Sequence, residues 1–192
     1  MIVHPDSFSS GQVGSKIWCA EELESACQYF EIQKKVLPPY NILILGGWYG
    51  ILNLILRSRN NLKIQRVRSV DIDKEVCEIA DLINNYWVWQ EWQFKSVHDD
   101  ANDFKYTNND FNIVINTSTE HMTSRKWFDN IPLGTLVVLQ SNNMKHDDHH
   151  TNHVSWMDFD EDYFLSEVFS VTQKEFVYPE WSFKRFMKIG LK

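Results

Sequence analysis

Three groups of residues could do chemistry by their type and spacing. The first is the turn Gly46-Gly47-Trp48-Tyr49-Gly50, which follows one apolar run, together with Asp71, which closes a second. Glycines at such a turn let backbone N–H groups and a helix N-terminus come close to a ligand, and an acid ending the next strand can hold ribose hydroxyls. The pair points to a nucleotide-like ligand. The second group is Asn116-Thr117-Ser118-Thr119-Glu120-His121-Met122. A carboxylate beside an imidazole is equipped for proton transfer, although Ser118 or Thr119 could equally cap a following helix. The third is His146-Asp147-Asp148-His149-His150-Thr151-Asn152-His153. Metal ligands this dense rarely converge, and no distant partner is identifiable, so no metal is expected. The stretch reads instead as a substrate-side loop, with Asn152 and His153 facing a substrate.

These groups need a scaffold that sets strand ends side by side. Residues 1–15 are rich in Ser and Gly and predict a loop or arm. From Lys16 to Val36 the apolar residues recur at helical spacing until Pro38-Pro39 stops them. Ile42 to Leu45 is a continuous apolar strand, as a parallel strand covered on both faces requires. A helix over Tyr49–Asn60, a strand over Gln65–Asp71 and a helix capped by Asp73 follow. Further strands are predicted at Glu91–Val97, Asp110–Asn116 and Gly134–Gln140, with helices at Met122–Asp129 and Asp158–Val168. Val168–Tyr178 and Phe183–Ile189 are separated by only four residues, which predicts a hairpin rather than another crossover. The fold class is α/β: a Rossmann-like mixed seven-stranded sheet with helices on both faces and a C-terminal antiparallel hairpin. Residues 1–39 form an arm and helix, and residues 40–192 the ligand-binding core, all in one domain.

Spacing separates this turn from two familiar ones. A dinucleotide fingerprint starting at Gly46 needs glycine where Trp48 and Ile51 stand, and a P-loop needs Gly-Lys-Ser/Thr where Ile51-Leu52-Asn53 stands. What remains resembles the class I S-adenosylmethionine-dependent methyltransferases over about residues 40–190. The resemblance rests on Leu45-Gly46-Gly47-Trp48-Tyr49-Gly50, Asp71-Ile72, Asp100-Ala101, Asn116 and the hairpin tail Phe183 to Gly190. In overall character the chain is similar to methyltransferase-like proteins of phage and marine microbes, without a motif diagnostic of that branch.

The resemblance implies that S-adenosylmethionine is the cofactor and that the chain transfers its methyl group to an acceptor, a small molecule or selected protein or RNA sites. Gly46, Gly47, Trp48 and Gly50 would then cradle the donor, Asp71 its ribose, Ile72 and Asp100-Ala101 its adenine. Asn116 would lie against the methyl donor and orient the acceptor, Glu120 or His121 would take its proton, and Gln12, Ser15 and Lys16 would shape its pocket. Trp48 replaces the family's central turn glycine. It would either displace the methionine path or pack beside it as a lid, which keeps a second reading open: a non-catalytic binding module of the same fold.

Composition bounds the partners. The 192 residues carry a net charge of −7, which argues against a broad nucleic-acid surface, and the cluster Arg57, Arg59, Lys63, Arg66 and Arg68 reads as a solvated helix end and strand entry. Eight Trp, seven Tyr and twelve Phe are mostly core by their size. Cys19, Cys27 and Cys77 show no CxxC pairing and read as free thiols of a reducing compartment. No signal-like segment or membrane-length apolar run is present, so a cytoplasmic protein is expected.

Overall fold

The computed structural model describes residues 4, 8–106, 110–144, 155–177 and 182–192. Seven strands form one sheet in the order β3-β2-β1-β4-β5-β7-β6. They are β1 (Tyr40–Leu45), β2 (Ile64–Asp71), β3 (Phe94–His98), β4 (Ile113–Asn116), β5 (Leu136–Asn142), β6 (Glu167–Val177) and β7 (Ser182–Leu191). The first five pair in parallel, and β7 runs antiparallel to both β5 and β6. The mixed sheet and its closing hairpin are those expected from the pattern. The chain reverses direction across the sheet between β1 and β4, which opens a crevice at the carboxyl ends of the strands.

Alternate residues of each strand face opposite layers. Ile42, Ile44, Ile113, Ile115, Val138 and Met187 pack under α1 (Ser10–Ile32) and α2 (Ile51–Arg59). Leu43, Leu45, Val114, Val137, Leu139 and Phe186 pack under α5 (Lys126–Asp129) and α6 (Trp156–Asp162), where Trp127, Phe128, Phe159 and Tyr163 fill the layer. α3 (Lys74–Ile83) and the short α4 (Asn85–Trp89) lead into β3. Arg59 donates from Nε and Nη2 to the two carboxylate oxygens of Glu24 at 2.6 and 2.9 Å, a fork that ties α2 to α1 and holds the Glu24 carboxyl below its usual range.

The elements differ from expectation at their ends. Residues 10–15 are helix, not arm: Ser9 accepts the Gln12 N–H and starts α1 six residues earlier than the periodicity suggests. β5 runs on through Ser141 and Asn142 because β7 offers Phe186 and Arg185 as partners. β3 begins only at Phe94, after Glu91 and Trp92 have taken positive φ angles. α6 lies earlier than Asp158–Val168 because Ser155 and Asp158 form a reciprocal capping box. The run 122–129 is helical only over Lys126–Asp129, preceded by a 3-10 turn at Thr119–His121.

Most of the basic cluster is spent inside the fold. Arg57 donates to the carbonyls of Ile64 and Gln93, Arg66 to that of Asp110, and Arg68 to those of Val67 and Trp92. The three cysteines are buried and unbridged, and burial pushes the Cys19 and Cys27 thiols up to about 12. Among the described residues no helix is long and apolar enough to cross a membrane.

Candidate active site

A cavity of about 690 Å³ opens at the carboxyl ends of β1, β2, β4 and β5, within the size range of small-molecule sites, roughly 300–1,000 Å³. Its lining comes from α1, the glycine turn, the residues after β2, β3 and β4, and single residues of β5 and β7.

One end is built from the chain's own turns. Gly46, Trp48 and Gly50 all take positive φ, at 62°, 48° and 70°. Gly47 lies so close to β2 that a Cβ there would sit 1.8 Å from Ser69 Oγ. This packing lets the turn hug the strand end, and both Gly46 and Gly47 donate to the Val70 carbonyl. Asp71 faces the cavity with its Oδ2 accepting the Trp48 N–H at 3.0 Å and its Oδ1 accepting the Asp73 N–H at 3.1 Å. Capping of α3 falls to Asp73, which accepts the N–H groups of Glu75 and Val76. The Asp71 carboxylate is thus oriented by two backbone donors, with acceptor capacity left for a ligand. Ile72 lies beside it and is 71% exposed. Across the cavity Asp100 accepts from the Asn102 backbone and side-chain amides at 2.8 and 3.0 Å, which fixes the turn carrying Asp99, Asp100 and Ala101.

Trp48 forms a rim. Its ring stacks on Tyr49 at 5.1 Å and leans toward the small apolar cluster of Tyr49, Ile51, Val76 and Ile79. The His4 N–H donates to the Tyr49 hydroxyl, completing the lip.

The other end is built from side chains on separate elements. Glu120, in the turn after β4, is 3% exposed and accepts a hydrogen bond from Asn142 Nδ2 of β5. Burial pushes its carboxyl up to about 7, against the opposing pull of the nearby Arg185 guanidinium. His121 Nε2 lies 3.8 Å from Glu120 Oε1. From α1, Lys16 reaches Gln12 Oε1 at 3.0 Å and Ser15 Oγ reaches Gln140 Oε1 at 3.4 Å. Arg185 of β7 completes this wall.

The structure therefore brings Gln12, Ser15, Lys16, Gly46, Gly47, Trp48, Asp71, Ile72, Asp100, Ala101, Glu120 and His121 to one cavity. Two expected residues lie elsewhere. Asn116 is fully buried and does not line the cavity; its Oδ1 accepts the Ser118 N–H and closes the turn. Gly50 lies behind the turn, where an added Cβ would strike Asn84 Nδ2 at 2.5 Å; its role is packing against α3. Asn152 and His153, with the cluster from His146, lie outside the described residues, among which no group of metal-ligating side chains assembles.

Sequence reasoning missed Asp99, Gln140 and Arg185. The available signal was polarity out of place: Gln140 interrupts the apolar strand Leu136 to Leu139, and Arg185 sits in a strand whose following residues are all buried.

No family model matches the sequence, and no curated protein matches it. Solved structures do. The YcgJ protein from Bacillus subtilis superposes with a TM-score of 0.63 at 12% identity, covering 91% of this chain and 97% of that one. Magnesium protoporphyrin IX methyltransferase (ChlM) from Synechocystis PCC 6803, solved with S-adenosylmethionine bound, superposes at 0.59 with 11% identity, covering 93% and 81%. The same enzyme with S-adenosylhomocysteine gives 0.60 at 11% identity, covering 93% and 84%. Identities this low establish a shared fold.

Proposed function

We propose that this chain, which has the fold of the class I S-adenosylmethionine-dependent methyltransferases, binds S-adenosylmethionine and directs its methyl group to an acceptor held beside Glu120. The observation that carries this reading is the single cavity in which the glycine turn and Asp71 share a wall line with a buried carboxyl group.

The residues at the β2–β3 end fit the donor. Asp71 presents an oriented carboxylate suited to two vicinal hydroxyls, and Ile72 and Ala101 offer apolar surface beside the amide-rich turn at Asp100. When bound, the donor supplies an electrophilic methyl group on a sulfonium. The chain's task is then to align the acceptor, exclude water and receive a proton. Glu120 suits the last of these. Held near 7, its carboxyl is a stronger base when ionised than an exposed carboxylate, and Asn142 fixes its orientation. His121, half exposed and close to Glu120, can pass that proton to solvent.

Trp48 supports a second reading, a donor-binding module without transfer. Its placement on the rim, stacked on Tyr49, favours the enzyme because the indole leans away from the Glu120 end.

Calorimetry tests the reading. S-adenosylhomocysteine should bind the native chain, and Asp71→Ala should weaken it about 10- to 100-fold, the loss of one or two hydrogen bonds to a charged group. Unchanged affinity in that variant, or no binding to the native chain, would refute it.

A further inference from the structure

The glycine turn is held from outside. Trp48 in its middle is left-handed, a strained conformation for a bulky side chain, and Gly46 and Gly50 on either side are left-handed too. Three anchors come from the end of β2: the Gly46 and Gly47 N–H groups donate to the Val70 carbonyl, and the Trp48 N–H donates to Asp71. The fourth comes from behind. Gly50 closes the turn with its N–H on the Gly47 carbonyl at 3.0 Å, and its own carbonyl accepts from Asn84 Nδ2 at 3.3 Å, at the junction of α3 and α4.

Asn84 is one corner of a closed ring. Its Nδ2 also donates to the Ala80 carbonyl, and its Oδ1 accepts from Asn53 Nδ2 of α2, both at 2.8 Å. The Asn53 backbone N–H returns to the Gly50 carbonyl at 3.2 Å. Asn53 and Asn84 are fully buried, and neither lines the cavity. Packing alone does not explain two amides here. The other groups nearest Gly50 are the Phe94 ring and the Ala80 methyl group, and a hydrocarbon pair would suit them without desolvating amides. Asn53 Oδ1 is buried with no hydrogen-bond partner among the described residues, a further cost to stability. What the ring supplies is direction: it fixes the Gly50 carbonyl, and with it the end of the turn, relative to α3.

α3 thus meets the donor end of the cavity twice. At its start the Asp73 N–H orients Asp71, and at its far end Asn84 holds Gly50. Resting on the methyltransferase reading above, we propose that Asn53 and Asn84 are positioning residues for the donor: their buried amide ring sets the glycine turn against Asp71, and donor affinity depends on it although neither side chain touches the ligand. The donor end is made of backbone, and the side chains it relies on stand behind the cavity rather than around it.

Two experiments on the full chain test this, with S-adenosylhomocysteine as the probe. The first combines Asn53→Leu with Asn84→Leu. Exchanging both partners of a buried polar pair for apolar groups changes stability little, so the urea midpoint should stay near the native value while affinity falls about fivefold or more. Asn84→Asp is the companion. Its carboxyl group can donate to Gly50 only when protonated, so its affinity relative to the native chain should approach native at pH 5 and fall about fivefold or more by pH 8. A purely structural pair would lower the urea midpoint and leave affinity and its pH dependence native, which would overturn the proposal. The second experiment needs no variant. Trp87 and Val88 donate their N–H groups to the Asn84 carbonyl, and Phe159, in the equally short α6 on the other face of the sheet, donates to Ser155. Binding should slow hydrogen exchange at Trp87 and Val88 about fivefold more than at Phe159. Equal protection overturns the proposal, and this measurement decides where the variants are destabilised. A native chain that does not bind S-adenosylhomocysteine at all would instead overturn the methyltransferase reading beneath it.

Discussion

The two ends of the cavity are made by different means. At the β2–β3 end the cavity-facing groups are strand termini and the turns that follow them. Asp71 is oriented by the backbone of the glycine turn and of its own next turn, and Asp100 by its near neighbour Asn102. At the β5–β7 end the polar groups come from α1, the turn after β4, and two antiparallel strands, and they are held by one another's side chains. Backbone-built sites tolerate changes of side chain around them. Side-chain-built sites do not, and they can be retuned one residue at a time.

If that contrast is right, the largest effect on turnover comes from the side-chain-built end. Glu120→Gln should lower the methyl-transfer rate about 100- to 10,000-fold, the usual contribution of a general base, with donor affinity unchanged. In the native chain the rate should rise with pH and level off above about 7, where Glu120 is ionised. Stability runs the other way. The folded chain holds the Glu120 proton more tightly than the unfolded chain, so this group's stabilising contribution is present below the ordinary carboxyl range and is lost as pH rises through about 7. Denaturation of Glu120→Gln should therefore show a gain over the native protein at pH 8 that disappears near pH 4. A flat pH–rate profile would remove Glu120 from the chemistry.

A smaller effect probes the backbone-built end. Gly47→Ala places a methyl group against Ser69 Oγ and should destabilise the fold by about 1–3 kcal/mol, with part of the loss restored when Ser69→Gly is added. Urea midpoints of the single and double variants measure this. Additive losses would mean that the contact is not what requires glycine at position 47.

The smallest effect separates rim from cradle. Trp48 holds a left-handed φ at a cost of about 1–2 kcal/mol, which its stacking on Tyr49 offsets by about 0.5–1.5 kcal/mol. Trp48→Gly should leave stability within about 1 kcal/mol of the native chain. Calorimetry should find S-adenosylhomocysteine affinity within a few-fold of native. A large gain in affinity would show that the indole obstructs the donor.

The same contrast explains how much of the site is legible in the sequence. The β2–β3 end was legible because its determinants are local: glycine after a strand, acid at the end of the next, Asp73 free to cap in place of Asp71. The β5–β7 end was legible only in part. Glu120, His121, Gln12, Ser15 and Lys16 stood out as polar groups near expected strand ends. Arg185 did not, because its place in the cavity wall comes from a register between β5 and β7 that no short-range pattern specifies. Asn116 lies off the cavity lining for the converse reason. It ends β4 as expected, but its side chain turns beneath the loop to hold Ser118. The start of α1 was hidden by Ser9, Ser10, Gly11 and Gly14, residues of low helix propensity that tertiary contacts overrule: Gly11 is buried, and Ser15 bonds to Gln140.

α1 divides its labour along its length. Its later turns carry Leu23, Ala26, Cys27 and Phe30 into the core and Glu24 onto Arg59, whereas its first two turns give Gln12, Ser15 and Lys16 to the cavity. On the proposed function, specificity would be partly written on a helix whose other half the fold cannot spare. Descent with modification would then alter the acceptor by single exchanges at positions 12, 15 and 16, within a rigid frame, more readily than by lengthening a loop. The helix turns that line the cavity are held in place by turns that never reach it.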